Sequence, residues 1–210
     1  MTYRAVIFDL GGVVFPSPMD AFDQYDRHVN VEVGTVRALI RRSSEEGAWA
    51  ALERGELRMD EFVMALEAEA DAAGFELDAR VLMGMIGSSL GPRPEMMRAI
   101  ERIREQGLRT AALTNNWNDE QKRATPHTLH ELNVFDVVVE SAVEGMRKPD
   151  PRIYALALGR LSVLASEAVF LDDLGINLKP AREMGITTIK VSDPNTALAE
   201  LERVLEFSLS

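Results

Sequence analysis

Arg4–Leu10, RAVIFDL, is the stretch that decides the fold. Ala5, Val6, Ile7 and Phe8 stand in an unbroken apolar row that runs into Asp9, and Leu10-Gly11-Gly12 follows as a turn. A strand with one wet face would alternate; a continuous run suits a strand covered on both faces, as in a parallel sheet. Further runs of the same kind occur at Leu108–Leu113, Phe135–Val139, Ala168–Leu171 and Thr187–Val191. Segments of helical length separate the later ones. Pro94–Gln106 places Met96, Met97, Ile100 and Ile103 on one stripe, between an opening proline and a stop at Gly107. Asp150-Pro151 reads as the N-cap and first-turn proline of a second helix, and Asn177 as the cap of a third that ends at Gly185. Strands alternating with helices predict an α/β chain built on a parallel sheet.

Between Phe15 and about Leu90 the alternation fails. Only helical patterns occur there: Val31–Arg42, Ala48–Arg54, Val81–Ile86, and Met59–Ala73 with Phe62, Val63 and Leu66 on one face. The interval is too long for a simple crossover and reads as a helical insertion, with Gly87–Pro94 as the return hinge. The expected division is a core of residues 1–16 and 91–210 and a helical cap of residues 17–90. Trp49 and the Phe62 stripe are expected in the cap's own core.

The 210 residues are 46% hydrophobic, enough for a buried core and too apolar for a disordered chain. A net charge of −11 opposes a general role in binding nucleic acid or anionic lipid. With no cysteine there is no disulfide, thiol nucleophile or thiolate zinc site, and three histidines leave little for a histidine-rich metal centre. No apolar run approaches bilayer-spanning length and Asp9 interrupts the early one, so a soluble, cytoplasmic protein is expected.

In an open parallel sheet, ligands bind beyond the carboxyl ends of the strands. There the sequence offers Asp9 after the first strand, Thr114-Asn115-Asn116 after the second, Lys148 in the loop after the third, and Asp172-Asp173 after the fourth. Carboxylates crowded at one edge repel, and a cation relieves them. Oxygen ligands without histidine point to Mg2+, completed by a substrate phosphate. Lys148 stands out among only four lysines beside nineteen arginines. Metal and lysine can spread phosphoryl charge, Thr114 and Asn115 can hold its oxygens, and a carboxylate can attack phosphorus. Singly, each residue is ordinary turn or surface chemistry; together on successive strand ends they are not.

Asp9 in VIFDLGGVV, Thr114 in AALTNN, Lys148 in GMRKPDPRIY and Asp172-Asp173 in AVFLDDLGIN resemble, in order, the four motifs of the haloacid dehalogenase-like hydrolases. The helical insertion lies where that superfamily carries its C1 cap. TNNWNDE, EGMRKPDPRIY and FLDDLGINLKPAREMGITTIKV resemble more closely the N-terminal phosphatase domain of soluble epoxide hydrolases and its bacterial relatives. The resemblance implies a Rossmann-like core and a Mg2+-dependent phosphatase of small phosphorylated metabolites. It implies Asp9 as the nucleophile that becomes an aspartyl-phosphate, and Thr114, Asn115 and Lys148 as the phosphate-binding set. It further implies Asp9, the Gly11 carbonyl and Asp173 as metal ligands, with Asp172 acting through water and Asn177 behind them.

One departure matters. The superfamily's phosphatases place a second Asp two residues after the nucleophile, as general acid and base; here that residue is Gly11. Loss of a general acid costs about 10²–10⁴-fold, which favours phosphate esters with acidic leaving oxygens, such as sugar 1-phosphates. Asp20, Asp23 and His28 are candidates for a substitute acid. The alternatives are a phosphate- and Mg2+-binding regulatory module without turnover, and a metal-free 2-haloacid dehalogenase, against which the Asp172-Asp173 pair argues. Gly87-Ser88-Ser89-Leu90-Gly91 matches the nucleophile-elbow pattern, with Asp119 and His127 downstream. A helical stretch before it and Pro92 and Pro94 after it do not supply the strand–turn–helix that an elbow needs. The acidic residues from Asp20 to Asp26 are expected on a solvated face.

Overall fold

A computed structural model describes residues 2–43, 45–87, 91–118 and 134–209. Ser88, Ser89, Leu90, Asp119, His127 and His130 lie outside the described residues, and with them the centre of the elbow pattern and three residues of the expected hinge.

The five apolar runs form strands β1 (Ala5–Phe8), β2 (Arg109–Thr114), β3 (Val137–Glu140), β4 (Ala168–Asp172) and β5 (Thr187–Lys190). They make one parallel sheet in the order β3-β2-β1-β4-β5. β1 is therefore central and fully buried, which is why its sequence does not alternate. The chain steps from β1 outward through β2 and β3, then crosses back to β4, so the switch point lies between β1 and β4. Phe8 pairs in register with Ala112 of β2 and with Leu171 of β4, and this aligns the tips of the three middle strands.

Each face of the sheet has its own helices. Val6 and Phe8 pack with Met96, Ile100 and Ile103 of α6 (Pro94–Glu105) and Leu201 of α10 (Pro194–Leu205). Ala5 and Ile7 point the other way, onto Ile153, Tyr154 and Ala157 of α8 (Pro151–Leu161) and Leu178 of α9 (Gly175–Glu183). A short helix, α7 (Ser141–Glu144), follows β3. Asp150 caps α8 as expected, accepting from the Arg152 amide at 2.9 Å.

Residues 17–87 contribute α1 (Pro18–His28), α2 (Thr35–Ser43), α3 (Ala48–Glu53), α4 (Met59–Ala73) and α5 (Ala79–Gly87). They enclose a separate apolar cluster of Phe22, Tyr25, Trp49, Leu52, Phe62, Val63, Leu66 and Leu82. Trp49 sits at its centre, edge-on to Phe22 at 5.1 Å and to Phe62 at 5.7 Å. Among the described residues no helix is long and apolar enough to cross a membrane.

Three local expectations need correction. Asn177 is not a cap: Asp172 accepts the Leu174 amide at 2.8 Å, and that turn starts α9 at Gly175, leaving Asn177 inside the helix. The helix expected from Val31 begins only at Thr35, because the Asp26 carboxylate takes the amides of Gly34 (2.7 Å) and Val36 (3.3 Å) and pins the chain in a loop. For the same reason Asp26 is fully buried and not on a solvated face, whereas Asp20 is exposed.

Candidate active site

The register of the sheet brings the tips of β1, β2 and β4 side by side. Asp9 follows β1 directly, and its amide donates to the Leu171 carbonyl of β4 at 2.9 Å. One oxygen each of Asp9, Asp172 and Asp173 lies within 4.8 Å of the others, although Asp9 and Asp172 are far apart in the chain. Thr114 ends β2 and is buried.

Lys148 reaches this cluster from the loop between α7 and α8. Its Nζ lies 2.8 Å from Asp9 Oδ1 and 2.7 Å from Asp172 Oδ2, and the side chain is 1% exposed. Asp9 Oδ1 also accepts the Leu10 amide at 2.7 Å, which sets the plane of the carboxylate. Asp172 is gripped from several sides: Oδ1 by the Leu174 amide, Oδ2 by Lys148, and both oxygens by Asn177 Nδ2 at 3.1 Å. Asn177 is held in turn by its carbonyl, which accepts the Tyr154 hydroxyl at 2.7 Å.

Three carboxylates, two of them buried and Asp173 half-buried, leave a surplus of negative charge over the one ammonium. Burial, with Asp172 and Asp173 beside it, pushes the Asp9 carboxyl well above the usual range despite the opposing Lys148. Burial and then Asp172 likewise raise Asp173, to about 6. Burial pulls against the Lys148 ammonium, but Asp172 and Asp9 outweigh it and hold Lys148 above the ordinary lysine value. A donor set of carboxylate oxygens with unbalanced charge fits a hard divalent cation. The main chain fits as well. Gly12 has φ +82°, and a Cβ there would fall 2.2 Å from Asp173 Oδ2, so only glycine lets this turn lie against the carboxylate.

Asn115 is nearby, but its side chain clamps the lysine loop: Oδ1 accepts the Lys148 amide at 2.9 Å and Nδ2 donates to the Lys148 carbonyl at 3.0 Å. Asn116 ties β2 to the start of α7, donating to Glu140 at 2.7 Å and accepting the Ala142 amide. Gly11 has no side chain to offer, and the space where a Cβ would project is bounded by Pro18 Cδ at 3.2 Å. Asp20, Asp23 and His28 are not members of the carboxylate cluster. Asp23 pairs with Arg37 at 2.7 Å, and Asp20 and His28 are exposed on α1.

Other residues at the site escape a reading of the sequence. Ser17, which caps α1, donates to Asp173 Oδ2 at 3.3 Å. Glu53 of α3 is buried and pairs with Arg147 at 2.6 Å. A signal for Glu53 exists: it stands four residues after Trp49, which puts a carboxylate on the apolar face of its helix.

Residues 3–185 match the family model of haloacid dehalogenase-like hydrolases. The chain belongs to that family. Among curated relatives, mouse acyl-CoA dehydrogenase family member 10 is 41% identical over 99% of this chain and 20% of its own length. Pig bifunctional epoxide hydrolase 2 is 34% identical over 97% of this chain and 39% of its own length. The chain thus spans well under half of either protein. A sesquiterpene phosphatase of Aspergillus oryzae is 28% identical over 97% of both chains. Among solved structures, a dehalogenase with an intermediate complex superposes with TM-score 0.69 at 21% identity over 97% of both chains. A haloacid dehalogenase family enzyme of Bacteroides thetaiotaomicron, in complex with magnesium and inorganic phosphate, gives TM-score 0.61 at 19% identity, covering 90% of this chain and 93% of its own. At those identities the structural likeness speaks for the fold alone, a hydrolase-family α/β core with a parallel five-stranded sheet.

Proposed function

We propose that this haloacid dehalogenase-like hydrolase is a Mg2+-dependent phosphatase of small phosphorylated metabolites, working through an aspartyl-phosphate on Asp9. The observation that carries the reading is the surplus of carboxylate: Asp173 stands beside a pair, Asp9 and Asp172, that Lys148 already serves. A metal-free dehalogenase attacking carbon would gain little from a third acidic group, whereas a metal-dependent phosphatase would use it as a ligand. Asp9, Asp173 and the Gly11 carbonyl would hold the ion, with Asp172 behind them. When bound, Mg2+ would keep the carboxylates ionised and neutralise charge on the phosphate oxygens. Phosphatases among the named relatives, including the Aspergillus enzyme, support the same class.

Asp9 would attack phosphorus, forming the O–P bond of the aspartyl-phosphate as the ester oxygen leaves; water would then cleave that bond and release phosphate. Lys148 would hold Asp9 in line and pair with a phosphate oxygen. Thr114 would contribute its hydroxyl. Because the Asn115 side chain is engaged with Lys148, its share of phosphate binding would come through the backbone amide. Residues 17–90 would act as the cap over the site, and residues 1–16 and 91–210 as the catalytic core.

The leaving oxygen finds no acid at position 11, so the preferred substrates would be those with acidic leaving groups, sugar 1-phosphates among them. A panel of phosphate esters graded by leaving-group pKa, assayed with magnesium, tests this, with Asp9→Asn as the inactive control. Wild type should depend more steeply on leaving-group acidity than Gly11→Asp, in which Pro18 must yield by a few tenths of an ångström. Equal slopes would remove the leaving-group reading. Phosphate and magnesium binding with no turnover on any ester would favour a regulatory module instead.

A further inference from the structure

The helical layer meets the lysine loop at one carboxylate, and we propose that this residue, Glu53, is a positioning residue for Lys148. Glu53 Oε1 accepts the Trp49 indole N–H at 3.0 Å, which anchors it in the core of the helical layer. Its Oε2 accepts Arg147 Nε at 2.6 Å and Asn115 Nδ2 at 3.3 Å. Asn115 is the residue whose amide grips both backbone groups of Lys148, and Arg147 is its chain neighbour. Two short steps therefore link the seating of α3 to the placement of the buried ammonium.

The contact is close-packed as well as polar. Gly55, just after α3, has φ +70°, and a Cβ there would lie 2.4 Å from the Ala142 carbonyl oxygen, so the turn rests directly on the backbone of α7. Trp49 also meets Trp117, from the loop after β2, at 5.9 Å. A buried carboxylate is tolerated only where donors surround it, and the donors here come from the helical layer, the β2 tip and the lysine loop. Both oxygens accept hydrogen bonds, one of them from a guanidinium. Glu53 is thus arranged as an acceptor that holds the site together, and it does not replace the acid missing at Gly11.

Lysine acetylation with a water-soluble acetyl ester, followed site by site by mass spectrometry, tests this independently of turnover. Lys179 and Lys190 are exposed and serve as references, while Lys148 is buried. Glu53→Gln keeps the volume but presents an amide to donors. Labelling of Lys148 should rise about fivefold or more by local opening, with the references unchanged. Hydrolysis of p-nitrophenyl phosphate with magnesium should lose about ten- to a hundredfold in kcat with little change in KM. Glu53→Asp, with its charge kept, should recover part of both. Wild-type protection of Lys148 in Glu53→Gln would overturn the proposal, as would Glu53→Asp behaving no better than Glu53→Gln. If Glu53→Gln has lost its fold by circular dichroism, Glu53→Asp decides alone: Lys148 labelling above wild type with the fold kept supports the proposal, and wild-type protection refutes it. The kinetic arm rests on the phosphatase reading; a wild type without turnover would sink that reading and leave the labelling arm to decide this one.

Discussion

Lys148→Met removes one charge and little volume, and its effect can be worked out from the site. The ammonium lies 2.8 Å from Asp9 and 2.7 Å from Asp172, with all three groups buried. At an effective dielectric of about 20, each contact is worth about 6 kcal/mol before desolvation is counted. Removing one partner of a buried pair leaves about 3–5 kcal/mol of net destabilisation, most of it from the carboxylates left behind. The methionine would keep the aliphatic packing near Phe170, whose ring centre is 5.6 Å from Nζ. The loss must depend on pH. Asp9 is already raised by burial and by its acidic neighbours, and loses its main opposing influence in the variant. A carboxyl whose folded pKa exceeds its unfolded value of about 4 supports the fold below that value and loses this support as pH climbs through the folded pKa. Urea unfolding in EDTA should therefore show a larger difference between wild type and variant near about pH 8, about 3–5 kcal/mol, than near about pH 5. A difference below about 1 kcal/mol near pH 8, or one equal at both values, would refute the buried-charge account.

Gly12→Ala would drive a methyl group into the Asp173 carboxylate from a left-handed backbone position, and should cost about 2 kcal/mol or more in urea unfolding and most of the magnesium-dependent activity. Asp173, raised to about 6, makes the metal-free protein less stable as pH rises from about 4 through 6, by about 1–2 kcal/mol after allowance for solvent screening. Thermal melts in EDTA should therefore peak on the acid side of neutrality, and magnesium should raise the melting temperature more at about pH 7.5 than at about pH 5; the opposite ordering would count against a metal site there. Asp26→Ala should destabilise the chain by about 1–3 kcal/mol by stranding the Gly34 and Val36 amides, while leaving KM unchanged; a neutral result in urea would show that water replaces the carboxylate.

What was legible in the sequence followed from burial. The β1 run is continuous because both faces of the central strand are covered, and the same logic marked β2 and β4 and hence the polar and acidic residues at the strand ends. The Phe62 stripe was legible because α4 packs one face on a local cluster. What escaped depends on partners distant in the chain. Asp26 looked like one more acid in a wet run until loop amides eight and ten residues later turned it inward. Glu53 and Arg147 lie 94 residues apart, and neither motif nor periodicity links them. Asn177 looked like a helix cap because Asn favours that position; the Asp172 carboxylate had already turned the chain two residues earlier. That the Asn115 side chain holds the lysine loop is likewise visible only in the fold.

The central place of β1 has a consequence for how such a protein can change. Neighbouring strands are spaced by about 4.8 Å, so the ends of β2, β1 and β4 present their chemistry at intervals fixed by hydrogen-bonded backbone and independent of any side chain nearby. Helices α1–α5, which have their own apolar cluster, enter and leave on that frame without taking part in its ladder. They can therefore be lengthened, trimmed or exchanged over evolutionary time while the spacing between Asp9 and Thr114 stays the same.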